Sequence, residues 1–509
     1  MKFLFFILPA LLFVHCSRTS QNSEKAGRQL NTLFEEYFEE WLPLFPVEAA
    51  LSGITDNEKY LQKISAIDPA QLPEGDRINY HTFVYELKTN LESLRYNDHL
   101  MPINQFSSMT LIFPLLGSGS FVQPFKTPED YDAFLGRITG FQQWVDTAIV
   151  NMREGMKLGI TQPKFIMEKV LPQLKDQIVQ NAEKSSFFDP VHNLPPGFEN
   201  GEKEELTIRY KNAIEQQIIP SYRKLYDFIK NEYLPACRTS AGLSELPDGK
   251  AWYAWQVRKW TTSRLIPEEI FETGVSEIER IEGQMMGILL HVGFPGNLSE
   301  FYGHLRTDPR FYFNRPEELL EGYQNLKTVV SQKLPEYFGK LPSTDFDIKR
   351  VEAFRETTAA GAEYWPPAAD DNRPGIFYVN TYDLSSRPQY LMTSTFLHET
   401  IPGHHLQIAL QQEQTALPRF RRYKYYDAFS EGWALYCEEL GQEMGVYENI
   451  YHYFGKLSDE AVRAVRLVVD VGLHFHDELL REGSIPLNVL AERMNRWVGE
   501  QLKPGPEEI

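Results

Sequence analysis

Three histidines and a glutamate lie together in the segment His398-Glu-Thr-Ile-Pro-Gly-His-His405. Imidazole nitrogens and carboxylate oxygens are ligands that zinc takes in proteins. In the usual zinc-peptidase pattern, two histidines four residues apart share one helix face, and the glutamate after the first is the general base. Here the position four residues after His398 is Pro402, and the next histidines are His404 and His405. The segment therefore predicts a zinc site only if the helix is broken.

A continuous helix cannot bring these histidines onto one metal ion. A residue six positions on lies about 9 Å along the axis and about 240° around it, and one seven positions on lies about 10.5 Å along. Pro402 disfavours helix at the residue before it, and Gly403 permits irregular dihedral angles. A two-residue bulge would return His404 to the usual ligand position, whereas His405 would need three, and both stay candidates.

A third ligand, Glu431, is expected from the following helix. It lies 27 residues after His404, which leaves room for the end of one helix, a basic loop and a return helix. Two histidines, one glutamate and an open fourth position make a catalytic zinc site. Glu399 is then the expected general base on a zinc-bound water. Asp427, one turn before Glu431, is expected to support a ligand by hydrogen bonding.

A polar stripe is predicted on a helix at residues 458–480. Arg466, Asp470 and His474 recur every four residues on one face, with Arg463 beside them. Either Arg466 and Asp470 form an internal ion pair or the stripe faces a cavity, since unpaired polar groups on an apolar helix are costly. In the second case His474 contacts an oxyanion or a substrate carboxylate, Arg466 binds or orients an anion, and Asp470 supports the metal ligands.

The elements that must position these residues are mostly helices. Apolar residues recur at helical spacing in segments 30–41, 130–156, 203–232, 267–292 and 316–341. The clearest strand is 375–382, rich in aromatic and β-branched residues. It is either a structural hairpin or a strand that pairs with a substrate backbone, and its Tyr378 or Tyr382 is an alternative to His474 at the oxyanion. The predicted fold is mainly α, with a small β-sheet beside the helix of His398.

A signal sequence is predicted at residues 1–16, because one lysine precedes an apolar run that is too short to span a membrane. Cys16 ends this run as in bacterial lipoproteins, although His15 stands where a small residue is expected, and the alternative is a buried N-terminal helix. Lipid on Cys16 would be the membrane contact of an exported protein of the cell envelope, periplasmic or anchored. Residues 17–28 are expected to be a tether. Residues 29–509 are expected to be one helical domain, or two lobes around a cleft that meet near residue 250.

The net charge of −19 argues against nucleic acid as a partner, because an acidic surface repels phosphate. A peptide substrate is the expected partner.

These motifs together resemble a large bacterial family catalogued as domain of unknown function 885, regarded as lipoprotein zinc metallopeptidases. The matching segments are 373–380, 398–407, 431–436 and 466–474. The family is similar to the gluzincin peptidases with long helical folds, such as thimet oligopeptidase, angiotensin-converting enzyme and carboxypeptidase Taq. The resemblance implies a mainly α-helical body with a deep cleft, one zinc ion per chain and short peptides as substrates.

The leading hypothesis is thus a zinc-dependent peptide hydrolase. One alternative is a catalytically inactive metal- or peptide-binding lipoprotein, and another is a metal-dependent hydrolase of a different amide or ester. The inactive alternative is motivated by the C-terminal region, which lacks the Pro-Gly-Gln segment with Tyr and Lys that the resemblance implies before Ile509.

Overall fold

The computed structural model describes residues 8–41, 57–119, 123–352, 355–356, 359–367 and 373–471. Within these ranges the chain is mainly helical and has a three-stranded sheet, which confirms the predicted fold class at this level. The chain divides into two compact units. The first is Met1–Thr239 with Thr415–Lys424, and the second is Ser240–Gln414 with Tyr425–Ile509. No helix of the described part is long and apolar enough to cross a membrane.

The first unit is built from helices in its described part. They are α1 (Leu8–Trp41), α2 (Asn57–Ser65), α3 (Glu74–Ser93), α4 (Met109–Gly117), α5 (Pro128–Leu158), α6 (Lys164–Asp176), α7 (Asp189–His192), α8 (Asn200–Ala213), α9 (Ile219–Phe228), α10 (Leu234–Ala236) and the short helix Arg419–Arg422.

Two π-helical turns, Ile214–Ile218 and Ile229–Tyr233, join α8, α9 and α10 into one continuous helix. Each turn ends just before a proline, Pro220 or Pro235. Proline lacks an N–H and its ring clashes with the carbonyl of the preceding turn, so a widened turn accommodates it.

Residues 17–28, where a tether is predicted, lie inside α1, and their role as a tether stays a prediction. Further along the same helix, Leu30, Leu33 and Phe34 are buried in a core that also includes Phe83 and Phe420. Once such packing has nucleated a helix, extending it through residues of weak helix propensity costs little. The signal sequence at 1–16 stays a prediction, since residues 1–7 and the side chains up to residue 22 lie outside the described part.

The second unit combines helices with the sheet. Its helices are α11 (Gly249–Thr261), α12 (Pro267–Val292), α13 (Leu298–Thr307), α14 (Pro316–Tyr337), α15 (Gln389–Glu399), α16 (His404–Glu413), α17 (Asp427–Glu443) and α18 (Ile450–Val471). Its strands are β1 (Phe346–Arg350), β2 (Ala362–Trp365) and β3 (Gly375–Val379).

Strand β3 lies in the middle of the sheet, parallel to β1 and antiparallel to β2. All five of its residues are buried, as expected for a strand covered on both faces. The strand predicted at 375–382 is thus confirmed over Gly375–Val379. Its pairing with a substrate backbone is wrong, because β1 and β2 occupy both of its edges.

Helix α15 is packed on two sides. On one side Phe396 and Leu397 share a core with Phe377 and Val379 of β3. On the other, α18 approaches so closely that a Cβ on Gly455 would lie 2.0 Å from the carbonyl oxygen of Tyr390. Interiors packed this tightly hold an element in one position, so α15 is fixed by α18 near its N-terminal end and by the sheet nearer its C-terminal end.

Candidate metal centre

Between His398 and His404 the chain leaves the helix for a short bulge. Helix α15 ends at Glu399 and α16 begins at His404. The N–H of Leu406 donates to the carbonyl of Thr400 at 3.3 Å. This bond spans six residues where an α-helix spans four, so the bulge accommodates two extra residues. The Ile401–Pro402 peptide bond within it is cis.

Gly403 is required in this bulge because its backbone lies against the end of α15. A Cβ at this position would lie 2.0 Å from the carbonyl oxygen of His398 and 2.3 Å from that of Leu397. The bulge is also tied to α17, since the indole Nε1–H of Trp433 donates to the carbonyl of Pro402 at 2.9 Å. The element that carries Glu431 is thereby fixed to the loop between the histidines.

His398, His404 and Glu431 each direct one ligand atom into a cluster whose atoms all lie within 4.8 Å of one another. The Nε2 atoms of His398 and His404 are 3.4 Å and 3.6 Å from the two oxygens of Glu431. A tetrahedral zinc ion holds its ligand atoms roughly 3.4 Å apart. The donor set and its spacing therefore fit zinc. The imidazoles are buried whereas the Glu431 side chain is 50% exposed, so one side of the cluster is open.

His405 is turned away from this cluster and has partners for both ring nitrogens. The Tyr364 hydroxyl lies 2.8 Å from Nδ1, and Nε2 is 3.1 Å from the carbonyl oxygen of Thr344. Because a carbonyl can only accept, Nε2 carries the proton and Nδ1 accepts from the tyrosine. Of the two candidate histidines, the structure brings His404 to the cluster.

Glu399 ends α15, directly after the first histidine of the cluster. Its carboxylate accepts a hydrogen bond from the backbone N–H of Tyr364 in β2. Burial raises the pKa of Glu399 to about 7, against the influence of His398 and with a further contribution from the negative charge of Glu431. A carboxyl group with a pKa near neutrality can both accept and donate a proton at physiological pH.

The charges of the three clustered side chains are strongly coupled. Burial lowers the pKa of His398, but hydrogen bonds to Glu431 and Glu438 outweigh this and raise it to about 9. Burial and the neighbouring His398 lower the pKa of His404 to about 4. The hydrogen bond from His398 lowers the pKa of Glu431 to about 2, although burial opposes the shift. Without a metal, a proton on His398 thus balances the negative charge of Glu431. A bound cation would take over this role from the proton.

Glu438 is a site residue that the sequence analysis missed. Its side chain is 1% exposed, and Oε1 lies 2.7 Å from Nδ1 of His398. It follows Glu431 by seven residues, two helical turns, so both carboxylates lie on one side of α17. This spacing is the signal that could have identified it.

Tyr425 is a second residue that the motif search did not single out. Its hydroxyl donates to Oε1 of Glu431 at 2.7 Å. This bond helps to fix the orientation of the carboxylate. The residue lies in the loop before α17, where sequence spacing says little about position.

The chain matches the profile described as "Bacterial protein of unknown function (DUF885)" over residues 40–474. It belongs to the DUF885 family. The match includes the bulge, the three clustered side chains and Glu438. Curated proteins offer no match to this DUF885 chain.

Two solved structures resemble this DUF885 protein over most of its length. One is described as "the putative lipoprotein from Colwellia psychrerythraea", with a TM-score of 0.81, 25% identity, and coverage of 92% of this chain and 88% of that one. The other is "a putative lipoprotein of unknown function from Shewanella oneidensis", with a TM-score of 0.55, 16% identity, and coverage of 92% and 89%. The second likeness shows the fold alone.

Several predicted site residues are not brought to the cluster in this DUF885 protein. Tyr378 lies on the face of β3 opposite Phe377, where its ring stacks on Arg355 at 4.8 Å. Asp470 accepts a hydrogen bond from the Tyr253 hydroxyl at 2.8 Å, and its supporting role at the candidate metal centre stays a prediction.

The remaining predicted residues have varied positions. Arg466 is exposed on α18, one turn beyond Arg463. Tyr382 is 59% exposed in the loop after β3. Asp427 begins α17, one turn before Glu431. His474 lies outside the described residues, so its role at an oxyanion or a substrate carboxylate stays a prediction.

Proposed function

We propose that this protein is a zinc-dependent hydrolase of short peptides. The observation that carries the proposal is the convergence of His398, His404 and Glu431, with Glu399 directly after the first ligand. Two imidazoles and one carboxylate with an open side form the ligand set of catalytic rather than structural zinc sites. One zinc ion per chain would be held by these three side chains.

Zinc in such a site supplies Lewis-acid catalysis and makes water acidic near neutral pH. The protein supplies the base. Glu399, whose pKa burial raises to about 7, would accept the proton of the attacking water and return it to the leaving amine. The N–H of Tyr364 holds one of its oxygens, which leaves the other free for the water.

An extended peptide is the substrate form that the sheet favours. Strand β2 is the outer strand on the side of β3 away from β1, and its residue Tyr364 contacts the proposed base. A peptide that pairs with the outer edge of β2 would therefore place its backbone beside Glu399, in the manner of strand addition. A gluzincin-like deep cleft, part of the same proposal, would restrict substrates to short chains.

Export and lipid anchoring at Cys16 complete the proposal. They are supported by the apolar run before Cys16 and by the structural neighbour from Colwellia psychrerythraea, which is described as a "putative lipoprotein". In cells, Cys16→Ser should move the full-length protein from the membrane fraction to the soluble fraction. Cys237→Ser is the matched control, and membrane association that survives Cys16→Ser would disprove the anchor.

The activity is tested by metal analysis of the purified protein together with a panel of fluorogenic peptides. We expect one zinc per chain, and hydrolysis that a chelator removes and added zinc restores. His398→Ala and Glu431→Gln should each abolish stoichiometric zinc binding. Zinc binding without hydrolysis of any peptide would favour the binding-only alternative, and cleavage of esters alone would favour another hydrolase.

A further inference from the structure

We propose that Glu438, held by Arg463, positions His398 to receive the metal. This inference rests on the proposed zinc site, and it assigns a role to two residues that do not themselves contact the metal. The contacts of Glu438, its burial and the contrast between His398 and His404 support it.

The hydrogen bond to Glu438 determines the tautomer of His398. Nδ1 of His398 lies 2.7 Å from Oε1 of Glu438, and a carboxylate there accepts a proton-bearing nitrogen. With the hydrogen on Nδ1, the lone pair of the neutral ring is on Nε2, which faces Glu431 at 3.4 Å. A carboxylate behind a histidine ligand fixes ring orientation and increases the basicity of the ligand nitrogen.

Two further side chains hold the Glu438 carboxylate in place. Arg463 donates from its two terminal nitrogens to the two carboxylate oxygens, at 2.8 Å and 3.1 Å. The hydroxyl of Ser394 donates to Oε2 at 3.1 Å. A buried carboxylate without such partners would be costly, and the planar guanidinium restricts its rotation. Arg463 therefore acts on the metal site through Glu438.

The second histidine, His404, differs from His398 in what its Nδ1 contacts. Nδ1 of His404 is buried and has no hydrogen-bond partner among the described residues. His404 begins α16 directly after the bulge, so its position depends on the backbone. Of the two imidazoles, His398 is thus the one that a side chain orients, and that side chain is Glu438.

The test is zinc affinity in Glu438→Gln, measured by competition with a chelator, together with the visible absorption of the cobalt-substituted protein. Glutamine keeps the size of the side chain but removes the charge. We expect zinc affinity to fall about 10–100-fold and the cobalt bands to shift, because the orientation of His398 is no longer fixed. Activity is not needed for either measurement.

The matched control is Glu439→Gln, one residue along the same helix. Glu439 also forms an ion pair, with Lys456 at 2.5 Å, but its side chain is 49% exposed. This variant should keep wild-type zinc affinity and the wild-type cobalt spectrum. If Glu438→Gln fails to fold, Glu438→Asp, which keeps the charge but withdraws it from His398, provides the same comparison.

Arg463→Lys tests whether the arginine acts through Glu438. Lysine keeps a positive charge near Glu438, but it loses the paired hydrogen bonds. Zinc affinity should fall in this variant, and Glu438→Gln with Arg463→Lys should bind no more weakly than Glu438→Gln alone.

Wild-type zinc affinity and an unchanged cobalt spectrum in Glu438→Gln would overturn the inference, as would additive losses in the double variant. A wild-type protein that binds neither zinc nor cobalt would overturn the proposed function, and this inference with it.

Discussion

At the scale of single residues, the neighbours His404 and His405 differ in what their ring nitrogens contact. We expect His404→Ala to lower zinc affinity at least about 100-fold, because it removes a ligand. His405→Ala should keep zinc and lower the free energy of unfolding by about 1–3 kcal/mol, because Tyr364 and Thr344 lose a buried partner. Zinc titration and denaturant unfolding of the metal-free proteins measure both, and zinc loss in His405→Ala would reverse the assignment.

Glu399 separates catalysis from metal binding. Glu399→Gln should retain one zinc per chain and lose hydrolysis by about 10²–10⁴-fold, because it removes a positioned base and not a ligand. The measurement is kcat on the best fluorogenic peptide, with zinc content determined on the same sample. The control is Glu439→Gln, which should keep both. Unchanged turnover in Glu399→Gln would remove Glu399 from the mechanism.

Sequence spacing could predict the candidate metal ligands but not the residues that hold them in place. His398, Glu399, His404 and Glu431 stand out because few other arrangements of these residue types make physical sense around a Pro-Gly break. Glu438 stands out less, because its neighbour Glu439 is also a glutamate and only the seven-residue spacing from Glu431 separates the two. The sequence could not place Tyr378 for a related reason, since alternation in a strand gives two faces and does not say which one meets the site, and its role stays a prediction.

At the scale of elements, the bulge between α15 and α16 is predicted to require its glycine. Gly403→Ala should lower the free energy of unfolding by about 3 kcal/mol, the upper end for overpacking, and weaken zinc binding, because the new Cβ would meet the carbonyl of His398. The measurements are denaturant unfolding and zinc titration.

The control for this substitution lies on the neighbouring ligand helix. A Cβ on Gly432 would meet nothing within 4 Å, so Gly432→Ala should stabilise α17 by up to about 1 kcal/mol and leave zinc affinity unchanged. Equal stability losses in both variants would show that the bulge tolerates a side chain.

The sheet shows how far an element can be predicted from its own sequence. The run Gly375-Ile-Phe-Tyr-Val379 predicts a strand, and its unbroken apolar character is typical of a central one. Its neighbours β1 and β2 are short and partly polar. No local pattern in their sequences predicts which edge of β3 each one pairs with. The position of a strand within a sheet is a long-range property, so the sequence could not show that both edges of β3 are already paired.

At the scale of the whole molecule, helical periodicity predicted the mainly α fold, whereas local composition did not show that residues 17–28 lie in a helix. The three candidate ligands all belong to the second unit. Zinc should therefore slow hydrogen exchange in α15, α16 and α17 and leave α5 of the first unit unchanged. At a free zinc concentration of 100 times Kd, the protection gained should approach about 2.7 kcal/mol. Mass spectrometry of exchanged peptides measures this, and equal protection in α5 would contradict it.

The path of the chain also imposes an order on biosynthesis. Residues Thr415–Lys424 belong to the first unit, and Phe420 is buried in its core with Phe34 and Phe83. During translation, the candidate ligands His398 and His404 are therefore synthesised before residues 415–424 of the first unit, and Glu431 is synthesised after them. A nascent chain that stops at Thr239 carries a hydrophobic core that lacks one of its aromatic side chains. The last segment of the first unit is synthesised only after residues 240–414 of the second. The two units therefore cannot complete their folding one after the other from the N-terminus to the C-terminus.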